Sequence, residues 1–298
     1  MVARLAVVPE SWRPCLEGYS VAFVANAHRA GGRLNPADAV FAEALALGAN
    51  GDPGDPPLLD AGRVLDLEAS LRRAQRRFGE ALALHERALA LTPPEDSGYI
   101  LLNQAFTFEQ SGDYERAITT LTKAAPQVDG VRQPRLLWVL RFNLAVNWCH
   151  LDRPEEADQI LPEVRTLTWA LNKESDRIRL RWLEGKVAAG LGRREEAIPA
   201  LEQVRQWFAA RDNPYDMALA TLELASLYLQ AGHTAKVKQL VGEMALIFRE
   251  QKVHREALAA LALFRDAALQ ETATAALARR LVRYLTEARH DPERRFEG

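Results

Sequence analysis

Nearly every long stretch of this chain carries apolar and small residues at helical rather than alternating spacing. In GEALALHERALAL, Ala81, Leu82, Leu84, His85, Ala88, Leu89 and Leu91 form one continuous stripe, the period of an amphipathic helix. Nothing reads as a run of alternating strands. Helix starts are marked by Asn35-Pro36 and Asn213-Pro214, a capping side chain before a first-turn proline. Asp113 before Tyr114, and Pro154 followed by Glu155 and Glu156, mark two more. Breaks fall at the turn-forming clusters GANGDPGDPP, TPPEDSG, APQVDGVRQP, LNKESD and ARDNP.

The stripes repeat. Small residues Ala25, Ala69, Ala105, Ala145, Gly185 and Ala225 recur at steps of 44, 36, 40, 40 and 40. Counting from each, a turn residue comes seven later: Gly32, Arg76, Gly112, Asp152, Gly192 and Gly232. A second small residue comes twelve later (Ala37, Ala81, Ala117, Ala157, Ala197, then Val237). Larger side chains follow at sixteen: Phe41, His85, Leu121, Leu161, Leu201 and Val241. Two helices in a tight hairpin approach closely only where side chains are small, and the turn between them favours glycine. A fixed period of this length is the signature of stacked helix pairs.

SGDYERAITTLTKAA, LGRREEAIPALEQV and RRFGEALALHERALALTPP resemble the tetratricopeptide repeat (TPR) family in the turn, the second-helix alanine and the closing proline. The resemblance covers about residues 15 to 250. It departs at Arg76 and Asp152, which replace the turn glycine, and in a period nearer 40 than 34. HEAT arrays share the longer period, but the glycine and alanine positions favour TPR. The resemblance implies an all-α, right-handed superhelical solenoid spanning 1–298 as a single domain. Its helix pairs fall at about 18–50, 62–94, 98–129, 138–170, 178–210 and 218–250. Residues 254–290 form a capping pair without the glycine turn, whose last helix sets Arg279, Arg280, Arg283, Glu287 and Arg289 against Leu277, Leu281, Val282 and Leu285. The tail DPERRFEG is expected to be loose. VLDLEASLRRAQRRFGEALAL, RLRWLEGKVAAGLGRREEA and VHREALAALALFRDAA also resemble the TPR portions of bacterial regulators that carry a helix-turn-helix; no such module is expected before Cys15.

Composition narrows the function. Apolar residues make up 48% and charged residues 26% of 298, as in a folded protein. A net charge of −2 gives no general attraction to nucleic acid or anionic membrane. Two cysteines, Cys15 and Cys149, suit a reducing compartment and a cytoplasmic protein, and the resemblance adds the expectation that it is bacterial. The start is a poor signal peptide, and no apolar run is long enough for a membrane helix. The six histidines lack any HExxH or metal-ligand spacing, and GLG at 190–192 is explained by the repeat turn. No catalytic residue, cofactor or metal is expected; the chain reads as non-enzymatic. Arg72, Arg73, Arg76 and Arg77 read as a solvated turn, with an anchor for an acidic partner segment or a nucleic-acid phosphate as the alternative, the latter disfavoured by the net charge.

If TPR geometry holds, first-helix side chains face a shared concave surface. The positions that count selects are Asn26, Arg29, Arg63, Arg73, Tyr99, Phe106, Phe142, Arg179, Trp182 and Lys186, with Asp66, Ser70, Leu102, Cys149, His150, Leu222, Ser226 and Leu229 beside them. The cations are expected to have few carboxylates nearby. The expected partner is a protein or peptide segment with apolar anchors and acidic groups, not a membrane and not nucleic acid directly. The lysine and asparagine set of carboxylate-gripping co-chaperones is absent, since Ala22 and Leu67 occupy its polar positions. The expected role is a scaffold or adaptor, as regulatory subunit of a larger assembly. The alternative is a peptide-sensing domain acting on transcription through a partner.

Overall fold

The computed structural model describes residues 12–49, 60–211, 213–250, 255–288 and 294–296. The segment before Trp12, the break at 50–59, His254, His290 and most of the tail lie outside the described residues. The described residues form α1 (Arg13–Ala30), α2 (Leu34–Ala49), α3 (Ala61–Ala74), α4 (Phe78–Leu91), α5 (Gly98–Gln110), α6 (Tyr114–Ala124) and α7 (Pro134–His150). They continue as α8 (Pro154–Leu171), α9 (Glu174–Gly190), α10 (Arg194–Ala209), α11 (Pro214–Gln230), α12 (Thr234–Glu250), α13 (Arg255–Leu269) and α14 (Ala275–Ala288). No strand occurs among the described residues. The fold is all-α, a succession of helix hairpins.

One turn recurs in all of the hairpins. The residue seven after each small residue lies in the left-handed region: Gly32, Gly112, Gly192 and Gly232 at φ 73–85°, Arg76 at 62° and Asp152 at 57°. The next residue's N–H reaches back five residues, for example Arg33 to His28, Arg77 to Arg72 and Arg193 to Ala188, at 2.8–3.0 Å. This pairing satisfies a carbonyl orphaned at the helix end. Arg76 and Asp152 therefore depart from the repeat in sequence and not in geometry. The turn before α14 follows suit, with Glu271 at φ 59° and Thr272 N–H bonded to Ala267 O at 2.8 Å.

The hairpin contacts sit where the small-residue period puts them. Ala25, Ala69, Ala145 and Ala225 are wholly buried, as are Ala37, Ala81, Ala117, Ala157 and Ala197. A Cβ on Gly185 would stand 3.1 Å from Leu201 Cδ2 and 3.2 Å from Ala200 Cβ, so the glycine permits the approach of α9 to α10. Asp113 and Asn213 cap their helices, accepting from Arg116 N and Asp216 N. Asn35 does not cap: α2 already begins at Leu34, so Asn35 and Pro36 lie within its first turn.

The contacts divide the chain into two compact units, 1–143 and 144–298. In the first, Ala22, Ala25, Phe41, Val64, Leu67 and Leu71 form a core between α1, α2 and α3, and α5 packs on α3 and α4. In the second, neighbouring helices from α8 to α13 pack in sequence, and α14 lies along α11. Leu281, Tyr284 and Leu285 share a core with Leu219, Leu222 and Leu224. The last helix thus covers a face of α11 that the repeat count assigned to the concave surface. Leu222 is wholly buried and Ser226 is buried too, which corrects their reading as exposed groove positions.

Candidate functional site

The candidate positions of the first unit gather around one carboxylate. Asp66 on α3 is fully buried and accepts both Asn103 Nδ2 contacts, at 3.0 and 2.9 Å, from α5. Arg63 Nη1 pairs with it at 3.1 Å, and His85 Nδ1 from α4 lies 3.4 Å away. His85 Nε2 and Thr107 Oγ1 share a hydrogen bond of 3.2 Å, and Thr107 donates to Asn103 O at 3.0 Å. His85, read as a packing residue, is wholly buried but packs through polar contacts.

Arginines and aromatic rings interleave above this hub. Arg63 stands 4.7 Å over the Tyr99 ring and Arg73 4.7 Å over Phe106. Cations so placed are held by the ring quadrupole. Arg73 is only 7% exposed and donates to Asn103 O at 3.1 Å. Burial, followed by the charge of nearby Arg29, lowers its guanidinium to about 10, so it stays charged at neutral pH. Arg29 donates to Asn26 Oδ1 at 2.8 Å and is itself lowered by burial. Tyr99 is half-buried, and burial with the charges of Asp60 and Asp66 pushes its phenol up to about 12. Phe142, on α7, stacks on Trp138 at 4.8 Å.

In the second unit Trp182 Nε1 donates to Glu223 Oε2 at 2.6 Å, and Lys186 Nζ pairs with Glu223 Oε1 at 3.1 Å. Lys186 also sits 4.9 Å over the Trp182 ring, which meets Phe208 edge-on at 5.4 Å. Arg179 is exposed. Cys149 is half-buried, and burial pushes its thiol up to about 11 despite Lys186 nearby, as for an inert thiol.

Two expectations need correction. The cations are not free of carboxylates: Asp66 neutralises Arg63 one turn away on α3, and Glu223 neutralises Lys186, 37 positions away on the neighbouring first helix. Nor is the arginine cluster a solvated turn throughout. Arg72 bonds Asp38 at 2.6 Å and Glu68 at 2.8 Å, and Arg73 is buried, while Arg77 pairs with exposed Glu80. Sequence reasoning also missed Asn103 and Thr107, which lie two before and two after Ala105 and escape the concave count.

No group of three or more His, Cys, Asp or Glu residues able to hold a metal occurs among the described residues. No helix among them is long and apolar enough to cross a membrane.

Residues 65–97, most of the α3–α4 hairpin and the turn after it, match the family model of the tetratricopeptide repeat. A solved tetratricopeptide repeat protein from Parabacteroides merdae ATCC 43184 is similar in fold, with a TM-score of 0.55 and 16% identity over 90% of this chain and 98% of that one. Comparison with curated proteins gives no match. The chain thus carries a tetratricopeptide repeat at 65–97 and shares its all-helical fold with a tetratricopeptide-repeat protein. Such repeats generally mediate protein–protein interaction, and such folds are typically non-catalytic adaptors.

Proposed function

We propose that the chain is a scaffold or adaptor that holds a protein or peptide segment on its first-helix surface, as the regulatory subunit of a larger cytoplasmic assembly. In the first unit the surface comprises Asn26, Arg29, Arg63, Tyr99, Phe106 and Phe142, with Arg73 set beneath Phe106 as its support. In the second it comprises Arg179, Trp182 and Lys186. The observation that carries this reading is the interleaving of half-buried rings with cations, Arg63 on Tyr99, Arg73 on Phe106 and Lys186 on Trp182. These rings offer apolar anchors already oriented by their cations, and anchored aromatics dominate interface energies. Exposed Arg179 would steer an acidic segment and raise its association rate.

The test begins with the partner captured from the native cell and measured against variants of the intact chain. Phe142→Ala and Trp182→Ala should each weaken binding by about 1 kcal/mol or more. Arg179→Glu should slow association, chiefly at low salt. Unchanged affinity in all three, with loss on altering a second-helix face, rejects the proposal. A second reading, peptide sensing that controls transcription through a partner, is supported by the likeness of three segments to the TPR portions of bacterial regulators that also carry a helix-turn-helix. Co-purification of a DNA-binding protein would favour it.

A further inference from the structure

A cleft of about 480 Å³ lies between the second helices α8 and α10, with α9 as its floor. It is unrelated to the candidate surface above. Arg177, Arg181 and Glu184 line it from α9, whereas Arg179, Trp182 and Lys186 project from the opposite side of the same helix, by the roughly 100° turn per residue. Its volume falls within the ~300–1,000 Å³ of small-molecule sites.

Two tryptophans and three arginines define its chemistry. Trp169 is 58% exposed, an unusual position for so large an apolar ring. Arg177 lies 4.5 Å over it. Trp207, half-buried, lines the cleft from α10 and donates Nε1–H to Glu174 Oε1 at 3.0 Å. The arginines are held in place without being used up. Arg165 spends Nε and Nη2 on Glu184 Oε1, at 3.0 and 2.7 Å. Arg181 spends Nη1 on Glu184 Oε2 at 3.3 Å and Nε on Gln203 at 3.0 Å. A guanidinium offers five N–H donors, so Arg165 Nη1 and Arg181 Nη2 remain for a ligand. Arg177 Nε is buried without a hydrogen-bond partner, although its Nη2 donates to Asn172. One carboxylate thus orients two arginines, and three arginines face two carboxylates in the lining.

Flat apolar walls beside oriented, incompletely used guanidiniums match a ligand that joins a planar ring to a compact oxyanion. Rings stack on indole faces, and guanidinium forks suit phosphate. We propose that this cleft binds a free nucleotide, the base against Trp169 and Trp207 and the phosphate on Arg165 and Arg181. A long polyanion is disfavoured by the net charge of −2, which leaves the mononucleotide as the occupant.

The experiment titrates AMP into the intact protein by calorimetry, with adenosine and inorganic phosphate as separate probes. The proposal expects AMP to bind with Kd below about 1 mM, at least tenfold tighter than either fragment, since the two contacts act together. Trp169→Leu should weaken AMP at least tenfold, the loss of one stacking wall. Arg181→Gln should weaken AMP while leaving adenosine unchanged. Both side chains are substantially exposed, and an unaltered thermal midpoint confirms the fold; if Arg181→Gln does not fold, Trp169→Leu alone decides. Absence of AMP binding, binding indifferent to Trp169→Leu, or tighter binding of the acidic peptide Ac-Asp-Phe-Asp-amide would overturn the proposal, the last in favour of a peptide.

Discussion

Replacing Asp66 with alanine is the severest single test of the first unit. The carboxylate is wholly buried, takes two contacts from Asn103 and one from Arg63, and faces His85 Nδ1 at 3.4 Å. Arg63 is 31% exposed, so water replaces most of what it loses, and that pair contributes about 1 kcal/mol at most. Half-buried Asn103 loses both acceptor contacts of its amide, and the wholly buried His85 ring loses the charge that faces its Nδ1. Each group left without its partner costs about 1–3 kcal/mol, so Asp66→Ala should destabilise the unit by ~3–5 kcal/mol, the range for removing one member of a buried charged network. Asp66→Asn keeps an acceptor for Asn103 and should fall between. The assay is guanidinium unfolding together with amide hydrogen exchange, because an array of repeats loses stability locally. Exchange in α3–α5 should accelerate at least a hundredfold, the equivalent of about 3 kcal/mol, while α9–α12 change little. A loss below about 1 kcal/mol, or acceleration spread evenly over both units, would refute the argument that Asp66 is the hub.

Three further outcomes follow from the turns and helix contacts. Arg76→Gly and Asp152→Gly should each stabilise by about 0.5–1 kcal/mol in chemical denaturation, since both residues hold the left-handed conformation that glycine adopts at no steric cost; destabilisation at both would contradict the shared turn geometry. Gly185→Leu should cost ~1–3 kcal/mol by overpacking α9 against Leu201 and Ala200, read as a lower denaturation midpoint, and a neutral effect would mean that the helices do not meet there. Ending the chain before Ala275 should expose Leu219 and Leu222 on α11 and cause self-association in sedimentation, whereas an unchanged monomer would show that α14 does not shield them.

The repeat was legible because hairpin packing depends on local spacing. Small residues twelve apart, such as Ala69 and Ala81, must meet across one turn, and both are buried. The polar hub was not legible, because Asp66, His85 and Asn103 come from three helices and each is individually compatible with a solvated or packed position. Arg73 misled for the same reason: an arginine beside three others reads as surface, yet its chain runs inward between α3 and α5. The docking of α14 on α11 had a sequence signal that the repeat count overrode. Apart from the stripe of Asp216, Glu223 and Gln230, PYDMALATLELASLYLQ is apolar or small around most of its circumference, and so wide a face needs cover from more than one neighbour. Nothing periodic announced the cleft, since Trp169 and Trp207 fall at different distances from their repeat origins, Ala145 and Gly185.

The central claim, that first-helix side chains hold a protein partner, is tested most directly by site-specific photo-crosslinking in the native cell. A benzophenone amino acid is placed in turn at Phe106 and Trp182, and at the exposed second-helix positions Glu86 and Thr119. The account predicts one discrete crosslinked partner from Phe106, from Trp182 or from both, and none from Glu86 or Thr119. A partner captured from Glu86 or Thr119 but from neither ring position would contradict it.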